Sequence, residues 1–197
     1  MTQPAALQPS ATEPRRRFGL FRRRPERAGY LLYGAAVTAA RIPAFYTGLG
    51  VPDTLDGRFD LVGLHVFFLI DRLSTTPPSP PAAALAQSVF DAMFSDMDLN
   101  LREMGVGDLS VGAKVRQMWE AFHGRAAAYR AALNAPERQS ALAEALARNV
   151  WRGAAPARSP DRLADYALGQ IAFLASQDLA DLAAGRVVFA APCWEGG

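Results

Sequence analysis

The stretch DMDLNLREMGVGD, which begins at Asp96, has residue types that suit a calcium loop. Such a loop needs oxygen ligands at positions 1, 3 and 5, a glycine at position 6 and a bidentate glutamate at position 12. Asp96, Asp98 and Asn100 supply the first three ligands, but position 6 is Leu101 and position 12 is Gly107. The two discriminating positions fail, so a calcium site is not expected here.

The same residues have the spacing of an amphipathic helix. At about 100° per residue, with Met97 at the centre of the apolar side, Asp96 and Asp98 lie about 100° to either side of it. Carboxylates on opposite flanks of one helix cannot easily share an ion. Asp98 and Arg102 are four residues apart and predict an exposed ion pair worth about 0.3 to 0.5 kcal/mol, while Glu103 joins Asp96 on the other flank.

The two histidines are the next candidates for metal chemistry. EAFH, residues 120–123, resembles one Glu-x-x-His half of a di-iron site, which needs a second copy and two more glutamates on facing helices. The other histidine, His65, has Val62 rather than a glutamate three residues before it. We therefore expect no iron site, and we interpret His65 as a core histidine with hydrogen-bond partners. Haem ligation by His65 or by a methionine remains an alternative.

No residue pattern indicates catalysis. The sequence has no nucleophile with an adjacent base, no glycine-rich phosphate loop and no paired catalytic carboxylates. Its one cysteine, Cys193, excludes an intrachain disulfide and a cysteine metal cluster, and suits a reducing compartment. The residues therefore predict a helical binding module with no catalytic residue, no metal site and no cofactor.

The elements that position these residues are predicted to be helices. The 197 residues suit an all-α fold, a single helical domain of about six helices preceded by a disordered basic N-terminal arm. The domain organisation predicted is a disordered arm at 1–28, a helical domain at 29–185 and a C-terminal tail at 186–197. The six predicted helices cover residues 30–44, 57–73, 82–104, 110–133, 136–151 and 160–184.

Local signals place the helix ends and the core. Asp56, Ser110 and Ser159 are the expected N-caps of the second, fourth and sixth helices. The run LVGLHVFFLI is apolar on every side, which predicts a central helix surrounded by neighbours. RVVF, residues 186–189, is the only strand-like run. Four methionines on the apolar stripes are expected to fill the core, or alternatively to form an adaptable binding surface: Met93, Met97, Met104 and Met118.

The net charge of +2 conceals an asymmetry between the arm and the body. Residues 1–28 carry +5, so the remaining chain carries −3. Arginine triplets that flank aromatic residues suit an anionic membrane surface, with a solvated tail or a nucleic-acid contact as alternatives. No segment reaches the roughly 20 apolar residues that span a bilayer. The predicted membrane-contact residues are Arg15, Arg16, Arg17, Phe18, Phe21, Arg22, Arg23 and Arg24.

Three stretches together resemble the ubiquinol-cytochrome c chaperone family. They are VPDTLDGRFDLVGLH (residues 51–65), FDAMFSDMDLNLREMGVGDLSVG (90–112) and KVRQMWEAFHGRAAAY (114–129), and the resemblance covers about residues 30–182. It implies an assembly factor that holds cytochrome b, or an early intermediate of ubiquinol-cytochrome c reductase, without catalysis. It also implies His65 as a family feature, and mitochondrial members work with a small partner protein. The Arg-rich start and the proline-rich stretch at 77–81 depart from mitochondrial members.

From this resemblance we expect the protein to act at the cytoplasmic face of the inner membrane. The alternatives are an enzyme of isoprenoid or quinone metabolism, which needs aspartate-rich motifs on facing helices, and an RNA-binding protein that uses the basic arm. Nucleic acid is the less favoured partner. The predicted partner-binding residues are Asp53, Asp56, Arg58 and Asp60 in the first motif, and Asp96, Asp98, Arg102, Glu103, Asp108, Lys114 and Arg125 in the second and third.

Overall fold

The computed structural model describes residues 23–75 and 79–194, and this part of the chain is all-α. It contains eight helices and no strand. Seven of them correspond to the six predicted helices, since the sixth is divided in two, and α2 is a short addition. The helices are α1 (Arg23–Ala40), α2 (Ala44–Thr47), α3 (Leu55–Thr75), α4 (Pro80–Glu103), α5 (Asp108–Leu133), α6 (Arg138–Val150), α7 (Ser159–Ala175) and α8 (Leu179–Ala183).

Helix α3 is the centre of the fold, as its apolar sequence predicts. Every residue from 61 to 69 is buried, and α3 contacts α1, α4, α5, α6 and α7. Its first turn is capped by Thr54, whose hydroxyl accepts from the Gly57 main-chain N–H at 3.2 Å, so the prediction of Asp56 as N-cap is wrong. Gly57 is required because a Cβ there would lie 2.0 Å from the Pro52 carbonyl oxygen.

Helices α4 and α5 form an antiparallel hairpin that packs on α3. The Ser79 hydroxyl caps α4 by accepting from the Ala82 N–H, and Gly105, at φ +79°, ends the helix in the left-handed conformation that glycine favours. Helix α5 begins at Asp108 after Gly107, so Ser110 lies inside the first turn and is not the cap that was predicted. The turn of this hairpin, residues 104–107, lies within the second stretch of the family resemblance, residues 90–112.

Helix α1 packs against α4 and α3. The contact with α4 is close at Gly29, where a Cβ would meet the Ser88 main chain at 2.6 Å. The helix begins at Arg23, so residues 23–28, which were predicted to belong to a disordered arm, are helical. They extend a helix whose buried side includes Ala28 and Leu32.

The last part of the chain differs most from prediction. The sixth predicted helix is divided into α7 and α8 by residues 176–178, and α7 begins at Ser159 with Arg158 as its N-cap, so Ser159 is not the cap. RVVF does not form a strand. It belongs to an extended segment, residues 186–194, in which the Gln177 amide pairs with the main chain of Val188 and the Gln170 amide pairs with that of Ala190.

Candidate functional site

An open groove lies between α3, α4 and α5 and has a volume of about 490 Å³. This is within the range of about 300 to 1,000 Å³ that is typical of ligand sites. Helix α3 contributes Phe67 and Ile70, and α4 contributes Ala83 and Ala86, whose small side chains leave space above the aromatic residues. The groove can therefore accept several apolar side chains of a partner.

Aromatic residues of α4 and α5 form one wall of the groove. The rings of Phe90 and Phe122 pack edge to face with centroids 5.6 Å apart, and His123 lies 5.3 Å from Phe90. Trp119 packs on His123 at 4.1 Å and is 45% exposed, although it is the largest side chain of the wall. A large exposed aromatic beside a buried cluster is typical of a contact site.

The polar edge of the groove offers few charges. Gln87 and Ser74 lie on its rim, and Arg130 stands over the Phe67 ring at 5.7 Å and pairs with Asp71 at 3.7 Å. Burial raises the pKa of the Asp71 carboxyl, although Arg130 opposes this. The arrangement suits an apolar segment that presents a few polar groups at its margin.

None of the eleven predicted partner-binding residues lines this groove. One weak sequence signal points to the groove, because Phe122 lies on the apolar stripe of α5 while Trp119, three residues before it, lies off that stripe. The alanines of α4 gave no such signal, because Ala83 and Ala86 meet the phenylalanines only after three helices assemble. The predicted residues form three separate groups.

The first group surrounds the start of α3. Asp53 and Arg58 form an exposed ion pair at 2.6 Å, in which the hydrogen bond from Arg58 lowers the pKa of the Asp53 carboxyl. Asp56 pairs with Arg152 at 3.3 Å. Exposed pairs of this kind contribute little to stability, so these side chains are free to serve a partner.

Asp60 belongs to the same group but is buried, at 1% exposed. Its two carboxylate oxygens pair with Arg125 at 2.7 Å and with Arg152 at 3.1 Å. Burial raises the pKa of the Asp60 carboxyl to about 6, against the opposing effect of both guanidinium groups. The structure therefore places the Asp60 side chain inside the domain and not on its surface. Arg125, another of the predicted partner-binding residues, joins α5 to Asp60 of α3.

Sequence reasoning missed Arg152, which lies 92 residues from Asp60. Arg152 has φ +54°, a left-handed conformation that places its side chain between Asp56 and Asp60. The Arg125 guanidinium also lies 5.6 Å from the Phe59 ring centroid. The cluster ties α3 to α5 and to the turn after α6, and no local sequence pattern indicates it.

The second group lies at the α4–α5 turn. Arg102 pairs with Asp98 at 2.7 Å and also with Asp108, so the predicted ion pair four residues apart is present. Within the described residues neither Glu103 nor Lys114 has an ion pair, and both are exposed. Three large apolar residues are exposed nearby, of which Leu109 is fully exposed. They are Leu99, Met104 and Leu109.

Asp96 stands alone as the third group. The Tyr33 hydroxyl donates to Asp96 Oδ2 at 2.6 Å, which joins α1 to α4. Burial, followed by this bond, raises the pKa of Tyr33. Asp96 and Asp98 thus face different neighbours, in agreement with the predicted opposite flanks.

His65 is a core histidine, as its apolar surroundings predict. It is fully buried, its Nδ1 bonds with the Leu61 carbonyl oxygen at 2.8 Å, and its Nε2 bonds with the Tyr166 hydroxyl at 2.8 Å. Burial lowers the pKa of the imidazole to about 4. Both ring nitrogens are engaged, so neither is presented to a haem iron.

The other candidate metal residues have structural contacts. Glu120 pairs with Arg116 at 3.1 Å, while His123 packs in the aromatic wall. Among the described residues, no group of three or more His, Cys, Asp or Glu could hold a metal ion. Met93 is buried, and Met97 and Met118 pack on the core, whereas Met104 is 53% exposed and does not fill it.

The predicted membrane-contact residues lie mostly beyond the described part of the chain. Arg15, Arg16, Arg17, Phe18, Phe21 and Arg22 are outside it, and Arg23 and Arg24 begin α1 without described side chains. Of the helices described, none combines the length and apolar character needed to cross a membrane.

A protein family, a curated protein and a solved structure are each similar to this chain. The family described as "Ubiquinol-cytochrome C chaperone" matches residues 47–189. A Xenopus laevis protein named "Ubiquinol-cytochrome-c reductase complex assembly factor 1" is 25% identical over 164 residues, which cover 82% of this chain and 80% of that protein. The crystal structure of the Cbp3 homolog from Brucella abortus superposes with a TM-score of 0.75 at 36% identity, covering 87% of this chain and 94% of that one.

Proposed function

The chain belongs to the ubiquinol-cytochrome c chaperone family, and on this basis we propose that it is a non-catalytic assembly chaperone of ubiquinol-cytochrome c reductase. Its client is cytochrome b, or an early intermediate that contains cytochrome b. The groove between α3, α4 and α5 receives an apolar segment of this client. Membrane proteins expose such segments before assembly, and a groove outside the bilayer shields them.

The observation that carries this proposal is the composition of the groove. Its wall combines the exposed Trp119 with Phe90 and Phe122, and the small side chains of Ala86 and Ala83, one and two turns before Phe90 on α4, leave space beside it. An amphipathic or apolar helix that lies in a groove uses anchors three or four residues apart, which fill pockets of this size. No acid lines the groove, and its Arg130 is half-exposed, so an apolar segment buries no carboxylate there.

A second contact surface lies at the α4–α5 turn. Met104 and Leu109 are exposed there beside Arg102, Glu103 and Lys114. Mixed charges around exposed apolar side chains suit a protein partner better than a lipid surface. We propose that this turn contacts the folded part of the intermediate or a small partner protein, and that Asp53 and Arg58 extend the contact.

Attachment to the membrane would place the chaperone beside its client. We propose that residues 15–24, with six arginines and two phenylalanines, bind the anionic cytoplasmic face of the inner membrane. Each arginine contributes about 1 kcal/mol close to such a surface, and salt weakens the attraction. A chain that lacks residues 1–22 should leave the membrane fraction at moderate salt.

The alternative functions gain no support from the described geometry. An enzyme that binds a diphosphate through magnesium needs clustered aspartates on facing helices, whereas Asp96 bonds with Tyr33 and Asp98 with Arg102. RNA binding would depend on the basic arm. It would show a steep loss of affinity with salt that disappears when residues 1–22 are removed.

The test begins with a strain that lacks the gene. Haem-containing cytochrome b and the assembled reductase should both fall, and full expression of the chain should restore them. Normal levels of both in the deletion strain would end the chaperone proposal. The spectrum of reduced membranes and a native gel measure the two quantities.

Two matched variants then test the groove. Ala83→Trp fills the groove from an exposed position, while Ala84→Trp adds the same side chain to the next exposed residue of α4, which does not line the groove. A loss of about 1.4 kcal/mol in client binding lowers association tenfold, so Ala83→Trp should retain about a tenth of the copurified cytochrome b. Equal recovery with both variants would show that the client binds elsewhere.

A further inference from the structure

We propose that the outer face of α1, together with Arg41 directly after it, lies on the surface of an anionic bilayer. This inference rests on the membrane attachment proposed above and deepens it, because it adds a surface of the folded body to the basic arm. Five residues define the outer face of α1: Arg27, Tyr30, Leu31, Thr38 and Arg41. All five are exposed.

Helical geometry places these residues together. At about 100° per residue, the five fall within an arc of about 100° on one side of the helix. The opposite side is buried and consists largely of small residues, including Ala28, Ala36 and Ala40. Helix α1 is thus strongly amphipathic, yet its outer face is not simply polar.

The apolar residues of this face are unusually open. Tyr30 is 55% exposed and Leu31 is 49% exposed. The Leu31 side chain packs on Gly185, where a Cβ would lie 2.7 Å from Leu31 Cδ1. This close approach of α1 to the segment after α8 holds the Leu31 side chain at the surface. A tyrosine and a leucine beside arginines are typical of a helix that lies at the headgroup level of a membrane.

The positive charge of the outer face favours an anionic partner. Arg27 and Arg41 are the charged groups of the outer face, and the one acid of α1, the exposed Glu26, lies about 40° beyond Tyr30, outside the arc. The nearby Asp181 is already paired with Arg186 at 2.5 Å. An anionic lipid surface satisfies both arginines and buries the apolar side chains at the same time.

The sequence before α1 continues the same chemistry. The described residues begin at Arg23, and the sequence before it carries Phe18, Phe21 and four arginines between residues 15 and 22. Arm and outer face are therefore continuous along the chain and have the same sign of charge. Two weak contacts in tandem give the stable binding that one alone does not.

The α4–α5 turn is the natural comparison. It also exposes large apolar side chains, but Asp98, Glu103 and Asp108 outnumber Arg102 and Lys114 there. An anionic bilayer should therefore leave this turn in water. The turn thus serves as an internal control on the same molecule.

The test uses a fluorescent label whose emission shifts to the blue when it enters a bilayer. In full-length Cys193→Ser protein, one cysteine is introduced as Thr38→Cys on the outer face, and in a second variant as Leu109→Cys on the α4–α5 turn. Vesicles of phosphatidylcholine with about 30% phosphatidylglycerol should shift the label at position 38 and leave the label at position 109 unchanged. Vesicles of phosphatidylcholine alone should shift neither.

Binding with no shift at position 38 would mean that the arm alone attaches, and would overturn the inference. An equal shift on uncharged vesicles would overturn its charge basis. Two double variants provide a second test. Tyr30→Ser with Leu31→Ser should lower the affinity for vesicles about tenfold. Leu99→Ser with Leu109→Ser, on the α4–α5 turn, should leave that affinity unchanged. These assays contain no client, so a failed client proposal leaves their outcome unaffected.

Discussion

Replacing Asp60 with asparagine should remove a pH dependence of folding that burial of its carboxyl group creates. Asp60 is 1% exposed and pairs with Arg125 and Arg152. Burial disfavours the charged carboxylate more than the two guanidinium groups favour it, so its pKa rises to about 6. Asparagine keeps the shape of the side chain and does not titrate.

The sign and size follow from the two pKa values. The ordinary value for this group is 3.8, so between 3.8 and about 6 the folded protein binds the proton more tightly than the unfolded chain. The stability that this group contributes is fully present below 3.8 and is lost as the pH rises through about 6. The whole effect is about 3 kcal/mol, of which roughly 1.5 kcal/mol falls between about pH 5 and about pH 7.5.

The assay is urea unfolding of the natural protein and Asp60→Asn at several pH values across that window. The difference in free energy of unfolding, natural minus variant, should fall by about 1.5 kcal/mol as the pH rises. If the two arginines dominated, the pKa would be depressed and the difference would grow towards neutral pH, which would refute the reasoning. Asp53→Asn, an exposed carboxylate also paired with an arginine, is the control and should lack this fall.

Three further substitutions test individual contacts. Tyr166→Phe leaves the buried Nε2 of His65 without its partner and should cost about 1 to 3 kcal/mol in thermal or urea unfolding. Gly57→Ala brings a Cβ to 2.0 Å from the Pro52 carbonyl oxygen, so the start of α3 must shift and the melting temperature should fall by several degrees. Gln170→Ala removes two hydrogen bonds to the extended C-terminal segment, and limited proteolysis should then cut that segment faster.

Matched controls make these outcomes specific. Gly169→Ala, at an open helical position, should leave stability unchanged or raise it by about 0.5 to 1 kcal/mol. Gln117→Ala removes an exposed glutamine of α5 and should not alter proteolysis near the C-terminus. A loss of stability at Gly169 as large as at Gly57, or equal cutting of both glutamine variants, would contradict the contacts described.

Features that depend on neighbours within one helix were accessible to sequence reasoning. The run from residue 61 to 69 is buried all round, and Asp98 pairs with Arg102 one turn away. His65 lies in the core because its own helix is apolar. Periodicity carries such information, since it states which residues share a face.

Features that depend on distant residues were not accessible. The partnership of Asp60 with Arg152 spans 92 residues and uses a left-handed backbone conformation after α6. The groove needs three helices to assemble before the alanines of α4 face Phe122. Helix α2 has four residues, too few for a periodic pattern. The exposed pair of Asp98 and Arg102 was thus predicted from sequence, whereas the residues that line the groove were not.

The pairing of Gln170 and Gln177 with the main chain of Ala190 and Val188 has a consequence for how this region can vary. The two amides bond with the main-chain N–H and C=O groups of the extended segment, so these four hydrogen bonds do not depend on its side chains. The residue types at positions 188 and 190 should therefore vary among relatives while the segment stays bound to α7 and to Gln177. Proline is the exception, because it has no main-chain N–H. At position 188 or 190 it would remove the hydrogen bond that this N–H donates to the glutamine side chain.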